Sequence, residues 1–203
     1  MHIDPQQLGR LLAQADRPPP PDDADHRQAA VFVLLVDRER TNLMLIRRAD
    51  RGDPWSNHIA FPGGHLEPGD ADALAAAHRE TFEEVGIGPD DITPLGDLGH
   101  YQTGDNRVDL HVYVGQWHPT GPLRVNAAEV AQVIEVPIAS LLAEHHARGY
   151  AARTTDQLGH HLLYPLADTA IWGVTARILH HLLELIGGSS GSETGTRLSD
   201  PPP

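Results

Sequence analysis

The chain has 203 residues, no cysteine and a formal net charge of −13 from 15 basic and 28 acidic residues. That length suits one domain with a proper core. The missing thiols exclude disulfides, thiolate metal sites and cysteine nucleophiles, and the acidic balance argues against a nucleic-acid backbone as partner. No apolar run approaches membrane-spanning length and no basic-then-hydrophobic leader is visible, so no membrane partner and a cytoplasmic location are expected.

In residues 5–15, Leu8, Leu11 and Leu12 recur at helical spacing and predict a short helix. Prolines over 18–21 end it as a stiff extended link. Residues 29–36 (AAVFVLLV) read as a buried strand, 37–42 as a polar turn and 43–46 as the second strand of a hairpin. Residues 47–57 form a polar loop. Leu74, Ala77, Thr81 and Val85 then mark a helix, with Asp70 and Asp72 at its N-cap and first turn and Gly86 as its stop. Strands are expected over 92–101 and 108–117. In the second, Val108, Leu110, Val112 and Val114 alternate with Asp109, His111 and Tyr113, the pattern of a half-buried strand. A Gly/Pro-rich loop, a further strand ending at Pro137, a short helix over 138–146 and a strand over 161–165 follow. Residues 171–186 predict an amphipathic helix with Ile171, Val174, Ile178, Leu182 and Leu185 on one side. The histidine pairs 145–146, 160–161 and 180–181 cannot each chelate as neighbours, and most are read as surface residues. Strands flanked by helices predict an α/β sandwich over residues 29–186, with 1–28 as helix and linker. The Gly/Ser-rich residues 187–203 are expected to be disordered.

The mid-chain helix carries the chemistry. Glu80, Glu83 and Glu84 stand at i, i+3 and i+4 and so share a face. Like charges at that spacing cost a lone helix roughly 0.2–0.5 kcal/mol per pair, and Arg79 offsets part of one charge by reaching Glu83. The carboxylates suit a hard divalent cation, and Mg2+ prefers one or two carboxylates plus waters and phosphate oxygens. From charge spacing alone, a solvated acidic face would be the simpler reading.

The wider pattern changes that reading. Gly63 and Gly64, then Arg79, Glu80, Glu83, Glu84, Gly86 and Ile87, resemble the Nudix box, G-x5-E-x7-R-E-U-x-E-E-x-G-U with U aliphatic. Two positions depart from it. The loop is one residue longer, so strict spacing puts the first glutamate at Ala71 with Asp70 beside it, and Thr81 occupies an aliphatic position. The long aspartate loop after Phe61-Pro62-Gly63-Gly64 resembles the coenzyme A pyrophosphatase branch of that family. So does the IWGVTARIL opening of the last helix, in which Trp172 and Gly173 are expected to serve packing. In that branch's upstream signature Arg48 and Ala49 match, whereas Asp53 replaces an arginine and Asn57 a glycine. Asn57 can adopt a left-handed backbone almost as glycine does.

The resemblance implies a Nudix-type α/β/α sandwich with a mixed sheet and the box as loop-helix-loop. It implies a Mg2+- or Mn2+-dependent hydrolase cleaving a nucleoside-diphosphate-linked substrate. Coenzyme A would yield 4'-phosphopantetheine and adenosine 3',5'-bisphosphate. The alternatives are another substrate such as NADH or ADP-ribose, or a non-catalytic Nudix-fold binding protein. Glu80 and Glu84, with Glu83 third and a carbonyl of Gly63 or Gly64, are the implied metal ligands. Glu80 or Glu129 is the implied general base, with Glu135 as second choice to Glu129 for the extra carboxylate. Arg79 would orient the glutamates, Asp70 would fix the loop, and Arg47, Arg48 and Phe61 would meet substrate. A homodimer is left open.

Overall fold

The computed structural model of the chain describes residues 1–22, 26–103 and 108–188. The disordered tail expected over 187–203 lies outside this range from residue 189 onward; Gly187 and Gly188 belong to the last helix.

Helix α1 (Pro5–Gln14) opens the fold, capped by the Asp4 side chain on the Gln6 N–H. Strand β1 (Arg27–Val36) is apolar on both faces because both are covered. It forms a hairpin with β2 (Asn42–Arg48), Leu34 opposite Met44, and then the two strands part. The gap is filled by β3 (Ile59–Ala60), which pairs with β2, and β4 (Gly63–His65), which pairs with β1. The intervening Phe61-Pro62 crosses from one to the other, and the Pro62 carbonyl accepts the Phe32 N–H at 2.9 Å. This wedge is what carries the glycine pair to the middle of the sheet.

Helix α2 (Ala73–Val85) follows, then β5 (Ile92–Gln102) and β6 (Val108–Trp117). β6 lies parallel to β1 along its whole length and antiparallel to β5, so the sheet is mixed. β7 (Val130–Pro137) covers the outer edge of β2. Helix α3 (Ile138–Ala147), the one-turn α4 (Thr155–Leu158), the two-residue strands β8 (Tyr164–Pro165) and β9 (Ala170–Ile171) and helix α5 (Gly173–Gly188) complete the fold.

Side-chain alternation along β1 divides the core. Val31, Val33 and Leu35 pack with α1, α3 and α5; Ala30, Phe32, Leu34 and Val36 pack with Ala76, Ala77 and Val85 of α2. The result is the expected α/β/α sandwich. No helix among the described residues is long and apolar enough to cross a membrane.

Several expectations need correction. Ile171 belongs to β9, and the last helix starts two residues later. Trp172 is 50% exposed and does not serve the core. Asp109 does not face water: it is buried, with His100 Nδ1 2.9 Å away. Most of the paired histidines are at least partly exposed, as expected, with two exceptions. His145 and His180 are buried between α3 and α5. His145 Nδ1 meets the Tyr164 hydroxyl at 2.9 Å and its Nε2 meets Glu184 Oε1 at 2.7 Å, while Glu184 Oε2 accepts the Ala152 N–H. Ligand-type atoms of His145, His180 and Glu184 lie within 4.8 Å of one another. Both nitrogens of His145 and both oxygens of Glu184 already have partners, so the cluster is a closed hydrogen-bond network tying α3, α5 and the 150–153 turn together.

Candidate active site

The site starts from the two ends of α2. Asp72 is the N-cap, its side chain accepting the Ala75 N–H at 2.8 Å. Gly86 ends the helix in a left-handed conformation, φ 76°, with its N–H on the Phe82 carbonyl. Asp72, expected in the first turn, thus takes the N-cap place expected of Asp70, which lies outside the helix. Its Oδ2 accepts the Glu67 N–H at 2.8 Å, and its two oxygens accept Arg79 Nε and Nη2 at 3.0 Å each. Arg79 also donates to the His65 carbonyl at 2.9 Å, to Glu80 Oε1 at 3.0 Å and to Glu83 Oε2 at 3.3 Å. One guanidinium therefore joins the loop to the helix and sets the direction of two glutamates. Its bond to Asp70 holds that carboxyl below the usual range.

Glu84 is 2% exposed, and its Oε2 accepts the Gly63 N–H at 2.9 Å. Burial pushes its pKa up to about 8, with the charges of Glu80 and Glu129 adding to the rise. The Gly63 hydrogen bond and the Arg48 charge oppose this and are outweighed. Glu80 is also raised, first by burial and against the pull of Arg79. A Cβ on Gly64 would sit 2.5 Å from Glu80 Cδ, so the second glycine leaves the room that the Glu80 carboxylate occupies. Glu83 is exposed.

Glu129 reaches this group because its segment is pinned to the helix end. Arg124 N–H donates to the Val85 carbonyl, Asn126 N–H to the Glu84 carbonyl and Glu129 N–H to the Asn126 carbonyl. The Glu129 carbonyl accepts the Ala49 N–H at 2.8 Å, joining the β2 end to the same site. Glu135 is elsewhere, held by Arg38 at 2.7 and 2.9 Å and by Asn42 at 3.1 Å. Of the two carboxylates weighed from sequence, only Glu129 approaches Glu80 and Glu84.

The remaining sequence candidates divide. Phe61 is 3% exposed in the core beside Ile59, because the crossing from β3 to β4 turns it inward; it offers no surface to a substrate. Arg47 is occupied by Asp168 at 2.8 Å. The Arg48 guanidinium makes no hydrogen bond or ion pair among the described residues, yet its charge acts on Glu84, His58 and His65. Asn57 has φ 63°, the left-handed backbone that a glycine would supply. Asp53 closes its own loop: it accepts the Trp55 N–H and lies within hydrogen-bond reach of Ser56.

The donor set is all oxygen and suits a hard divalent ion. Among the described residues no three of these carboxylates bring oxygens within 4.8 Å of one another.

The class of protein follows from fold and site together. Among solved structures, an Ap4A hydrolase binary complex from C. elegans superposes with a TM-score of 0.52 over 80% of this chain and 98% of that one, at 16% identity. RenU, a Nudix hydrolase from M. smegmatis, also gives 0.52, over 81% and 87%, at 16% identity. These establish the fold. A family profile for the NUDIX domain matches residues 26–157. The uncharacterized Nudix hydrolase NudL of Photorhabdus laumondii is 31% identical over 175 residues, 85% of this chain and 93% of that one. The NudL of Escherichia coli K12 is 33% identical over 165 residues, 80% and 84%. The chain belongs to the Nudix family, as a diphosphate-cleaving hydrolase of the divalent-metal-dependent kind.

Proposed function

We propose that this enzyme cleaves the diphosphate of coenzyme A or a coenzyme A derivative in a Mg2+- or Mn2+-dependent reaction. The observation that carries the metal assignment is Glu84. It is a nearly sealed carboxylate beside two more, with one backbone hydrogen bond and no ion-pair partner among the described residues. Such a group is costly unless a cation shares it. Glu80 and Glu84, with Glu129 or Glu83, would hold the ion, which when bound polarises the phosphoryl oxygens and acidifies water. Glu129 or Glu80 takes a proton from the attacking water on a carboxylate oxygen. A new O–P bond forms, the bridging P–O bond breaks, and the two products each leave with a phosphate. Arg79 is a positioning residue, since its donors are spent on Asp70, Glu80, Glu83 and the His65 carbonyl.

The coenzyme A assignment is supported by the Phe61–Gly64 sequence, the long aspartate loop and Arg48. A 3'-phosphate on the ribose calls for an unengaged guanidinium. With Arg47 committed to Asp168, Arg48 is the candidate on the strand that approaches the site. The test compares coenzyme A with 3'-dephospho-coenzyme A on purified enzyme. The expected result is faster cleavage of coenzyme A and a narrower gap in Arg48→Ala. Equal wild-type rates would move the assignment to a Nudix pyrophosphatase that reads ADP without its 3'-phosphate, such as one acting on NADH or ADP-ribose.

A further inference from the structure

The chain has three tryptophans. Trp117 is 4% exposed, while Trp55 is 44% and Trp172 50% exposed. The two exposed indoles come from segments remote in sequence, the loop after β2 and the junction of β9 with α5, yet they meet at one imidazole. Trp55 and His58 have ring centroids 5.8 Å apart at 90°, and His58 and Trp172 4.5 Å apart at 68°. An edge-to-face contact occupies at most one face of each indole, so His58 leaves each with a face to offer. The junction is fixed from behind by the Thr175 hydroxyl, which donates to the Ile59 carbonyl at 3.1 Å.

The cluster stands next to the carboxylates, and Arg48 links them. Arg48 N–H donates to the His58 carbonyl at 3.0 Å and Asn57 N–H returns a bond to the Arg48 carbonyl. The same Arg48 charge acts on both His58 and Glu84. Burial, helped by Arg48, lowers the His58 pKa, so at neutral pH no imidazolium competes for the indole faces. Two indoles of about 150–250 Å² each, half exposed, fall well short of the roughly 800 Å² per partner of a stable protein interface. Their size does match a planar heterocycle, and the unengaged cation beside them matches an anion attached to it.

We propose that Trp55 and Trp172, braced by His58, form a stacking platform for the purine base of the substrate, with Arg48 between base and diphosphate. This rests on the reading of the enzyme as a nucleoside-diphosphate hydrolase and adds which residues recognise the base. Neither tryptophan is a catalytic residue; their contribution is to binding.

The test uses the full chain with adenosine 5'-monophosphate (AMP) and, as the base-free control, ribose 5-phosphate, both in excess chelator. The expected result is saturable quenching of indole fluorescence by AMP and none by ribose 5-phosphate. By calorimetry, Trp172→Leu should weaken AMP binding roughly tenfold, the scale of one lost base stack, and Trp172→Phe should restore most of it. With divalent ion present, the loss on an adenosine-linked diphosphate should fall on KM more than on kcat. Thermal melts on each variant check folding, and the Phe variant carries the test if the Leu variant unfolds. AMP binding that is unchanged in a Trp55→Leu, Trp172→Leu double variant would overturn the platform. So would a wild-type dimer that the double variant dissociates, which would give the patch to a second copy of the chain. AMP quenching without coenzyme A cleavage would support the platform and sink the coenzyme A reading. Coenzyme A cleavage with KM unchanged in the double variant would do the reverse.

Discussion

Gly63 and Gly64 are adjacent, but their reasons for being glycine differ. Gly63 has φ 144°, and a Cβ there would sit 2.2 Å from the Ala30 carbonyl oxygen, a backbone atom that cannot yield. Gly63→Ala should cost about 3 kcal/mol or more and show as a large fall in Tm. At Gly64 the atoms nearest an added Cβ all belong to the end of the Glu80 side chain, which can swing aside. Gly64→Ala should therefore melt close to wild type while losing turnover about tenfold or more, since the displaced group is a proposed metal ligand. A Gly64→Ala enzyme with normal turnover would show that Glu80 need not stand where the structure puts it. The sequence marked both residues through one motif; it could not tell them apart, because the difference is set by β1 on one side and α2 on the other.

At the scale of the element, the box helix was legible because its signals are local: apolar spacing, a carboxylate N-cap, a glycine stop. The distinction between Asp70 and Asp72 was not, since both are acceptable caps and only the bond from Asp70 to Arg79 decides it. The wedge of β3 and β4 was illegible for another reason. Strands of two and three residues have no period to read, and their pairing depends on β1 and β2 parting after Leu34. That same crossing hides Phe61 in the core. Which of the paired histidines are buried was not legible, because neighbours in sequence say nothing of the contact that joins His145 to His180 across α3 and α5. Thr81 is a residual conflict within α2. It is fully buried and its Oγ1 has no hydrogen-bond partner. An unsatisfied buried hydroxyl costs about 1–3 kcal/mol, and valine has nearly the same shape. Thr81→Val should raise stability by about 1 kcal/mol in denaturant titration; a loss of stability would mean that a water or an alternative rotamer serves the hydroxyl.

At the scale of the whole molecule, the site leaves a signature in how stability depends on pH. Glu84 has a folded-state pKa of about 8 against an ordinary value of 4.5. Between those values the native state holds a proton that the unfolded chain has released, so stability falls as pH rises through the window. His58, His65, His78, His111, His180 and His181 act in the opposite sense. Burial lowers each of them, so the unfolded chain binds their protons more readily and stability rises with pH until the unfolded imidazoles, of ordinary pKa 6.5, are neutral too, about one pH unit above that value. Above about pH 7.5 the Glu84 effect dominates. The Glu84 contribution should thus fall by about 1 kcal/mol from about pH 7 to about pH 8, read as the change in the difference between metal-free wild type and Glu84→Gln, roughly 2–4 °C in Tm for a chain of this size. Mg2+ competes with the same proton, so its affinity should climb across that interval and its stabilising effect should grow. Glu84→Gln should remove the decline above neutrality, leave the metal-free protein as stable or slightly more so, and lower turnover about a hundredfold or more. Thermal melts from about pH 5 to about pH 9, with chelator and with Mg2+, decide it. If wild type and Glu84→Gln follow the same curve above neutrality, Glu84 is ionised without the metal and does not supply the proton that Mg2+ displaces.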